Sequence, residues 1–157
     1  MTEKELMLSE KLYIANDEEL RKDFMRSKRL TRLINSTTED EVRKRLDLFR
    51  QLFGKIGDTF YIEPPFRSDY GSNTYIGNNF YANYDCIFLD VAKIIIGDNV
   101  FFGPRVSLFT AGHPIDAEIR NTQLEFGKSI KIGNNVWVGG NTTINPGVTI
   151  GNNVVIG

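Results

Sequence analysis

The sequence is poor in the residues that most often carry chemistry. It has one cysteine, Cys86, one histidine, His113, and one tryptophan, Trp137. A lone cysteine excludes an intrachain disulfide framework and fits a reducing compartment. Net charge is also lacking: 19 basic side chains face 20 acidic ones, for a formal charge of −1. That excludes a general electrostatic affinity for nucleic acid or anionic membrane. No apolar run is long enough to span a bilayer. The opening "MTEKELMLSEK" is charged and has no apolar secretory core. A cytoplasmic protein with no nucleic-acid or membrane partner is the expectation. At 157 residues it suits one compact unit with a small appendage.

What is present divides into two grammars. Residues 1–57 read as helical. "DEELRKDFMRSKRLTRLIN" puts Leu20, Phe24, Leu30 and Leu33 on one face, with basic residues between them as a solvated face. "STTEDEVRKRLDLFRQLF" opens with Ser36 and Glu39 at capping-box spacing, and Val42, Leu46, Phe49 and Phe53 follow at helical intervals. Two amphipathic helices joined near residues 35–38 make a hairpin that needs a partner surface.

From residue 58 to 157 the period changes. Pro64 and Pro65 exclude helix. Hexads follow: "IGNNFY", "IGDNVF", "FGPRVS", then an unbroken set in which Ile132, Val138, Ile144, Ile150 and Ile156 return in step. A repeat of six is neither helical nor a plain strand alternation. It fits a short strand followed by a turn, with Gly and Asn supplying left-handed turn conformations. Three such sides close a triangular coil of about 18 residues, and coils stack as parallel strands roughly 4.8 Å apart. The aliphatic of each hexad points into the prism. The spacing from Ile96 to Ile132 equals two coils, so the register is expected to survive a break between them.

That break, about residues 109–130, reads "FTAGHPIDAEIRNTQLEFGKS". A long irregular loop on a rigid scaffold is a place for function, and this one holds His113. A neutral imidazole can take a proton from a hydroxyl. Asp116 and Glu125 are the carboxylates in the loop that could orient it.

Three segments, "DYGSNTYIGNNFYANYDCIFLD", "IGDNVFFGPRVSLFTAGHPID" and "IGNNVWVGGNTTINPGVTIGNNVVIG", resemble the maltose and galactoside O-acetyltransferases, as does "MLSEKLYIANDEEL". The pair "FYANYD" and "TAGHPID" carries most of the specificity. The resemblance implies a mainly β fold: a left-handed parallel β-helix with an N-terminal helical hairpin and an extruded catalytic loop. It also implies transfer of acetyl from acetyl-CoA to a sugar hydroxyl, in a cytosolic homotrimer whose sites are shared by neighbouring prisms, with no metal required. His113 matches the family's general base, and Asn83 matches its donor to the tetrahedral intermediate. Asp69 and Glu125 match acceptor-binding positions. Asp17 lies near another, although it also suits a helix N-cap. Trp137 and Gly140 match positions beside the CoA arm. A further carboxylate of galactoside enzymes falls at Val91, next to Asp90. That departure, with "FRSDYG" and "NYDCIFLDV", turns the likeness toward the maltose branch. The later coils and basic C-terminal segment that help hold CoA are not in the sequence, so the C-terminal end is expected to be a truncation.

Four other readings compete. A zinc carbonic anhydrase on the same scaffold would need about three histidines near the interface. A covalent acyl-enzyme through Cys86 conflicts with an inward-facing cysteine of the hexad pattern. A non-catalytic scaffold leaves the His113 loop without a purpose. An acetyltransferase acting on a galactoside, an antibiotic or a nucleotide sugar stays open, because acceptor choice rests on a few loop contacts.

Overall fold

The computed structural model describes residues 1–157. The N-terminal part holds α1 (Glu3–Leu8), a two-residue strand β1 (Tyr13–Ile14), α2 (Glu18–Asn35) and α3 (Val42–Leu52). The hairpin of α2 and α3 forms as its apolar spacing predicts. Leu20, Leu30, Ile34, Leu48, Phe49 and Leu52 are buried. The capping box is not where the sequence pointed. Ser36 ends α2, and α3 begins only at Val42, with no side-chain N-cap bond. Instead Glu41 accepts from the Thr38 N–H, and buried Arg45 donates to Thr37 Oγ1 and the Thr38 carbonyl. Arg45 therefore fixes the connection from inside. The capping box that does form is at α1, between Thr2 and Glu5.

The prism begins at β2 (Lys55–Ile56), which already pairs with the rung above it. The first rung continues with β3 (Phe60–Ile62) and β4 (Phe66–Ser68). The second holds β5 (Thr74–Ile76), β6 (Phe80–Ala82) and β7 (Cys86–Leu89). The third holds β8 (Ile94–Ile96), β9 (Val100–Phe102) and β10 (Ser107–Phe109). The chain then leaves the prism. It forms β11 (Ala111–Gly112), α4 (Ala117–Arg120) and β12 (Leu124–Gly127), and returns as β13 (Ile130–Ile132), β14 (Val136–Val138) and β15 (Thr143–Ile144). A last partial rung holds β16 (Thr149–Ile150) and β17 (Val155–Ile156).

Strands of equal position stack in parallel into three flat faces. The first face is β2-β5-β8-β13-β16, the second β3-β6-β9-β14-β17, and the third β4-β7-β10-β15. Two expectations about spacing change. Equivalent residues in the lower rungs are 20 apart, as with Asn78 and Asp98, and only the upper rungs have the 18-residue repeat. The two extra residues lie where the third face turns into the first. Secondly, Ile96 pairs directly with Ile132. Two coil-lengths of sequence thus advance the stack by a single step, and the surplus is the loop.

The corner between the first and second faces explains the Gly-Asn pairs. Asn78, Asp98 and Asn134 each donate a backbone N–H to the side-chain oxygen of the residue one rung up, at 2.7, 2.8 and 2.7 Å. The next residue in each hexad, Asn79, Asn99, Asn135 or Asn153, takes the left-handed conformation. The glycine serves a different purpose from the one its type implied. A Cβ on Gly97 would sit 2.3 Å from Asn134 Oδ1, so glycine is there for space.

One apolar cluster runs from the helical hairpin through the prism interior. Phe49 and Phe53 stack at 5.6 Å and plug the lower end, edge-on to Phe66, which in turn meets Phe88 at 5.0 Å. The wider lower rungs are filled by Phe, the narrower upper ones by Ile and Val. The N-terminal arm serves the loop instead of the core. β1 pairs antiparallel with β12, and β12 with β11. The Glu10 carboxylate accepts from both Ser129 N–H and Ser129 Oγ.

Two expected outcomes follow from this packing. Phe88→Ala removes a wholly buried ring touching Phe53, Phe66 and Phe102, and should cost about 3–5 kcal/mol in a denaturant titration. Glu10 is held below the ordinary carboxylate range by its Ser129 side-chain bond and then by the Ser129 backbone bond. A lowered acid pKa means the clasp is fully present above the unfolded value near 4.5 and is lost as pH falls through the folded value. Glu10→Gln should speed tryptic cleavage at Arg120 by about threefold or more at neutral pH. The wild type should approach the variant on acidification.

Candidate active site

The loop departs from the third–first corner, the corner widened by two residues. Its sheet β1-β12-β11 stands against that corner and frames a cleft of about 540 Å³. His113 follows β11 directly and lines this cleft with Asp69, Glu125, Tyr13, Tyr70 and Arg21. Val91 and Ala111 supply apolar floor. The sequence thus separates three residues that the fold brings together: Asp69 at the end of β4, His113 after β11, and Glu125 in β12.

Each is held differently. Gly112, before the histidine, pairs with Phe126, and a Cβ there would lie 2.7 Å from the Phe126 ring. This close approach seats the β11 end on β12. The His113 ring is exposed and has no hydrogen-bond partner within the chain. Of the two loop carboxylates, Asp116 is already used: it caps α4 by accepting from Glu118 N–H at 2.8 Å and Ile119 N–H at 3.1 Å. Glu125 accepts from Tyr13 Oη at 3.2 Å and faces the same cleft as His113. Burial, and then the Glu125 charge, push the Tyr13 phenol far up, so it stays a neutral donor. Asp69 is pushed up to about 6, mainly by burial and then by Glu125, with Lys28 pulling the other way. Above that value the cleft carries two carboxylates that can accept from hydroxyl groups.

Asp17 is placed otherwise. It caps α2, accepting from Leu20 N–H at 3.2 Å, while its neighbours Ala15 and Asn16 line the cleft. Asn83 stands at the second–third corner, where its Oδ1 accepts from Tyr84 N–H and its side-chain amide has no partner within the chain. Gly140 lies at the same corner, against Gly103. Trp137 covers no corner. It is 57% exposed on the outside of the second face, in register with Phe101 below and Val155 above, beside a shallow groove of about 260 Å³. One chain therefore presents two separate sets, His113 with its carboxylates at one corner and Asn83 with Gly140 at another. The third face lies between them.

Sequence reasoning missed most of the cleft wall. Tyr13, Arg21, Phe24 and Tyr70 showed no motif of their own. Phe24 meets Tyr70 edge-on at 6.1 Å. The "LYIAND" stretch lies inside the segment read as helical, but it forms the strand β1 and lines the site. A larger groove of about 720 Å³ lies between α2 and β4, lined by Lys28, Arg29, Arg32 and Arg67, and it contains none of the residues above. The smaller cleft is the one in which an imidazole and carboxylates converge.

Comparison with known proteins gives the family. Residues 6–57 match the maltose acetyltransferase hexapeptide capping motif, and residues 129–157 match the bacterial transferase hexapeptide (six repeats). A crystal structure of a maltose O-acetyltransferase from Clostridium difficile 630 is 59% identical, with a TM-score of 0.98 over 99% of this chain and 83% of that one. A galactoside acetyltransferase solved in complex with coenzyme A is 41% identical, with a TM-score of 0.95 over 99% of this chain and 78% of that one. Nodulation protein L of Rhizobium meliloti is 42% identical over 83% of this chain and 72% of its own. The chain spans about two thirds of the length of the curated relatives it matches. Rungs, capping helices and cleft together place it: the chain belongs to the maltose and galactoside O-acetyltransferase family of hexapeptide-repeat β-helix enzymes.

Proposed function

We propose that the chain transfers acetyl from acetyl-CoA to a hydroxyl of a maltose- or glucose-type sugar, with His113 as general base. The convergence of His113, Asp69 and Glu125 on one cleft with an aromatic and apolar wall carries the reading. A sugar has hydroxyls that need fixed acceptors and a C–H face that suits Phe24, Tyr70 and Val91. The acceptor O–H gives its proton to the imidazole as the oxygen attacks the thioester carbonyl. The C–O bond forms, the C–S bond breaks, and the proton passes from His113 to the departing thiolate.

The developing oxyanion needs a donor. Asn83 has a free amide for it, a contribution worth about 3 kcal/mol when the donor is preorganised. Within one chain Asn83 lies across the third face from His113. The reading therefore assigns it to an adjacent chain of a homotrimer, with Trp137 and Gly140 beside the CoA arm on that same neighbour. A lone cysteine fits a reducing, cytosolic compartment. Val91, apolar where a galactoside-type carboxylate was expected, supports the maltose branch. The domain division at residues 57/58 is retained as a working boundary, with the first strand of the prism just before it.

His113→Ala should lower turnover about 100-fold or more while the oligomer, followed by size-exclusion chromatography, stays intact. An unchanged rate would remove the base. Consumption of acetyl-CoA should be fastest with maltose or glucose in a panel that includes thiogalactosides and non-sugar alcohols and amines. Cys86 is buried, its Sγ directed at the Asn83 and Gly103 carbonyls, and burial pushes its thiol up to about 11. Cys86→Ala should keep turnover within about twofold, since a buried neutral thiol is no nucleophile.

A further inference from the structure

The widened corner poses a problem of its own. Where a rung takes two extra residues, the inter-rung ladder lapses, and backbone N–H groups are left inside the protein without strand partners. Side chains from the rung above answer this. The Asp90 carboxylate is wholly buried. Its Oδ1 accepts from Tyr70 N–H at 2.8 Å and Gly71 N–H at 3.0 Å, and its Oδ2 from Thr74 Oγ1 at 2.9 Å. Its backbone carbonyl accepts from Asn73 Nδ2 at 2.8 Å. One rung higher, buried Thr110 repeats the device, accepting from Ala92 N–H at 3.0 Å. Both bonded segments touch the cleft. Tyr70 and Val91 are its floor, and Asp69 directly precedes the clamped turn.

We propose that Asp90 is a positioning residue for acceptor binding: it never touches the sugar, but its carboxylate holds the Asp69–Tyr70–Gly71 turn so that Asp69 and the Tyr70 ring face the cleft. The turn closes on a Thr74 N–H to Gly71 carbonyl bond of 3.0 Å, and the Asp90 carboxylate takes the two N–H groups ahead of it. Gly71 is left-handed, with a φ of 71°, and packs against Leu52, where a Cβ would lie 2.4 Å from Leu52 Cδ1. No basic side chain is hydrogen-bonded to Asp90. Burial pushes its carboxyl up to about 7, against the pull of the Tyr70, Gly71 and Thr74 bonds. A carboxylate kept in so costly a place fits three donors that a neutral, smaller residue would leave unsatisfied. A residue serving the stack alone has a cheaper solution in this same chain, namely the threonine at position 110.

The inference rests on reading the cleft as the acceptor site, so its test has an arm that needs no acceptor. In Asp90→Asn, and more mildly in Thr74→Val, amide hydrogen exchange at Tyr70 and Gly71 should accelerate about tenfold or more. Exchange at Asn78 and Asn134 on the opposite corner should not change. In steady-state kinetics with maltose, the acceptor KM should rise about tenfold for Asp90→Asn and less for Thr74→Val. The KM for acetyl-CoA and the kcat at saturating acceptor should stay within about twofold. Asp90→Glu, which restores charge but not length, should recover only part of the loss. Faster exchange with unchanged acceptor KM would overturn the positioning role and leave the sugar reading intact. Unchanged exchange would overturn the clamp itself. Loss of kcat and both KM values together would show general damage and equally sink the proposal. If maltose is not turned over by the wild type, it is the acceptor reading that fails, and the exchange arm still decides the clamp.

Discussion

The strand ladder of each rung pairs only with the rung below and the rung above. That constraint governs the rest of the molecule. Strands of two to four residues leave the second face only a shallow groove beside Trp137, and the cleft that holds His113 opens at a corner. The three corners have taken different tasks. One is closed by a ladder of Asn and Asp side chains and holds the register. One presents a free Asn83 amide and the close-packed Gly103 and Gly140. The third is loosened by two residues per rung, and from it the loop and the cleft arise.

The cost of that loosening shows in the charges. Asp69, Asp90 and Glu125 gather near the third corner with no ion pair among them. Asp69 and Asp90 are both raised, burial being the largest cause in each. A corner meant only for stability would not keep ionisable groups there, since each stabilises the fold less as it ionises at higher pH. Their presence at the one corner that also holds the imidazole supports the binding site proposed there. The lone cysteine shows the opposite case, a titratable group sealed inside and made inert.

Much of the architecture was legible because it is periodic. Ile132 to Ile156 announce their own stack, and the interruption around His113 announces itself by contrast. Periodicity is a local signal, and it failed where tertiary contact decides. Ser36 and Glu39 have the spacing of a cap but sit where Arg45 sets the turn. The interval from Ile96 to Ile132 looks like two coils, because a loop of one coil-length is invisible to arithmetic. His113, Asp69 and Glu125 were legible singly, through resemblance, but their convergence with Tyr13, Arg21, Phe24 and Tyr70 was not. Tyr13 and Glu125 are 112 positions apart, and nothing in either neighbourhood names the other. Asp90 was passed over as the neighbour of a missing carboxylate, since its three donors lie 16 to 20 positions earlier in the chain.

That same separation bears on how the protein is made. The amino-terminal arm leaves the ribosome first, yet β12, the strand it embraces, is synthesised more than a hundred residues later. At about 5–20 residues per second, the arm waits on the order of ten seconds for β12, while Leu20, Tyr70 and Val91 are already made to receive Met7 and Tyr13. The arm can close over β12 only after the first three rungs have been made, so the cleft that both line cannot be complete before then.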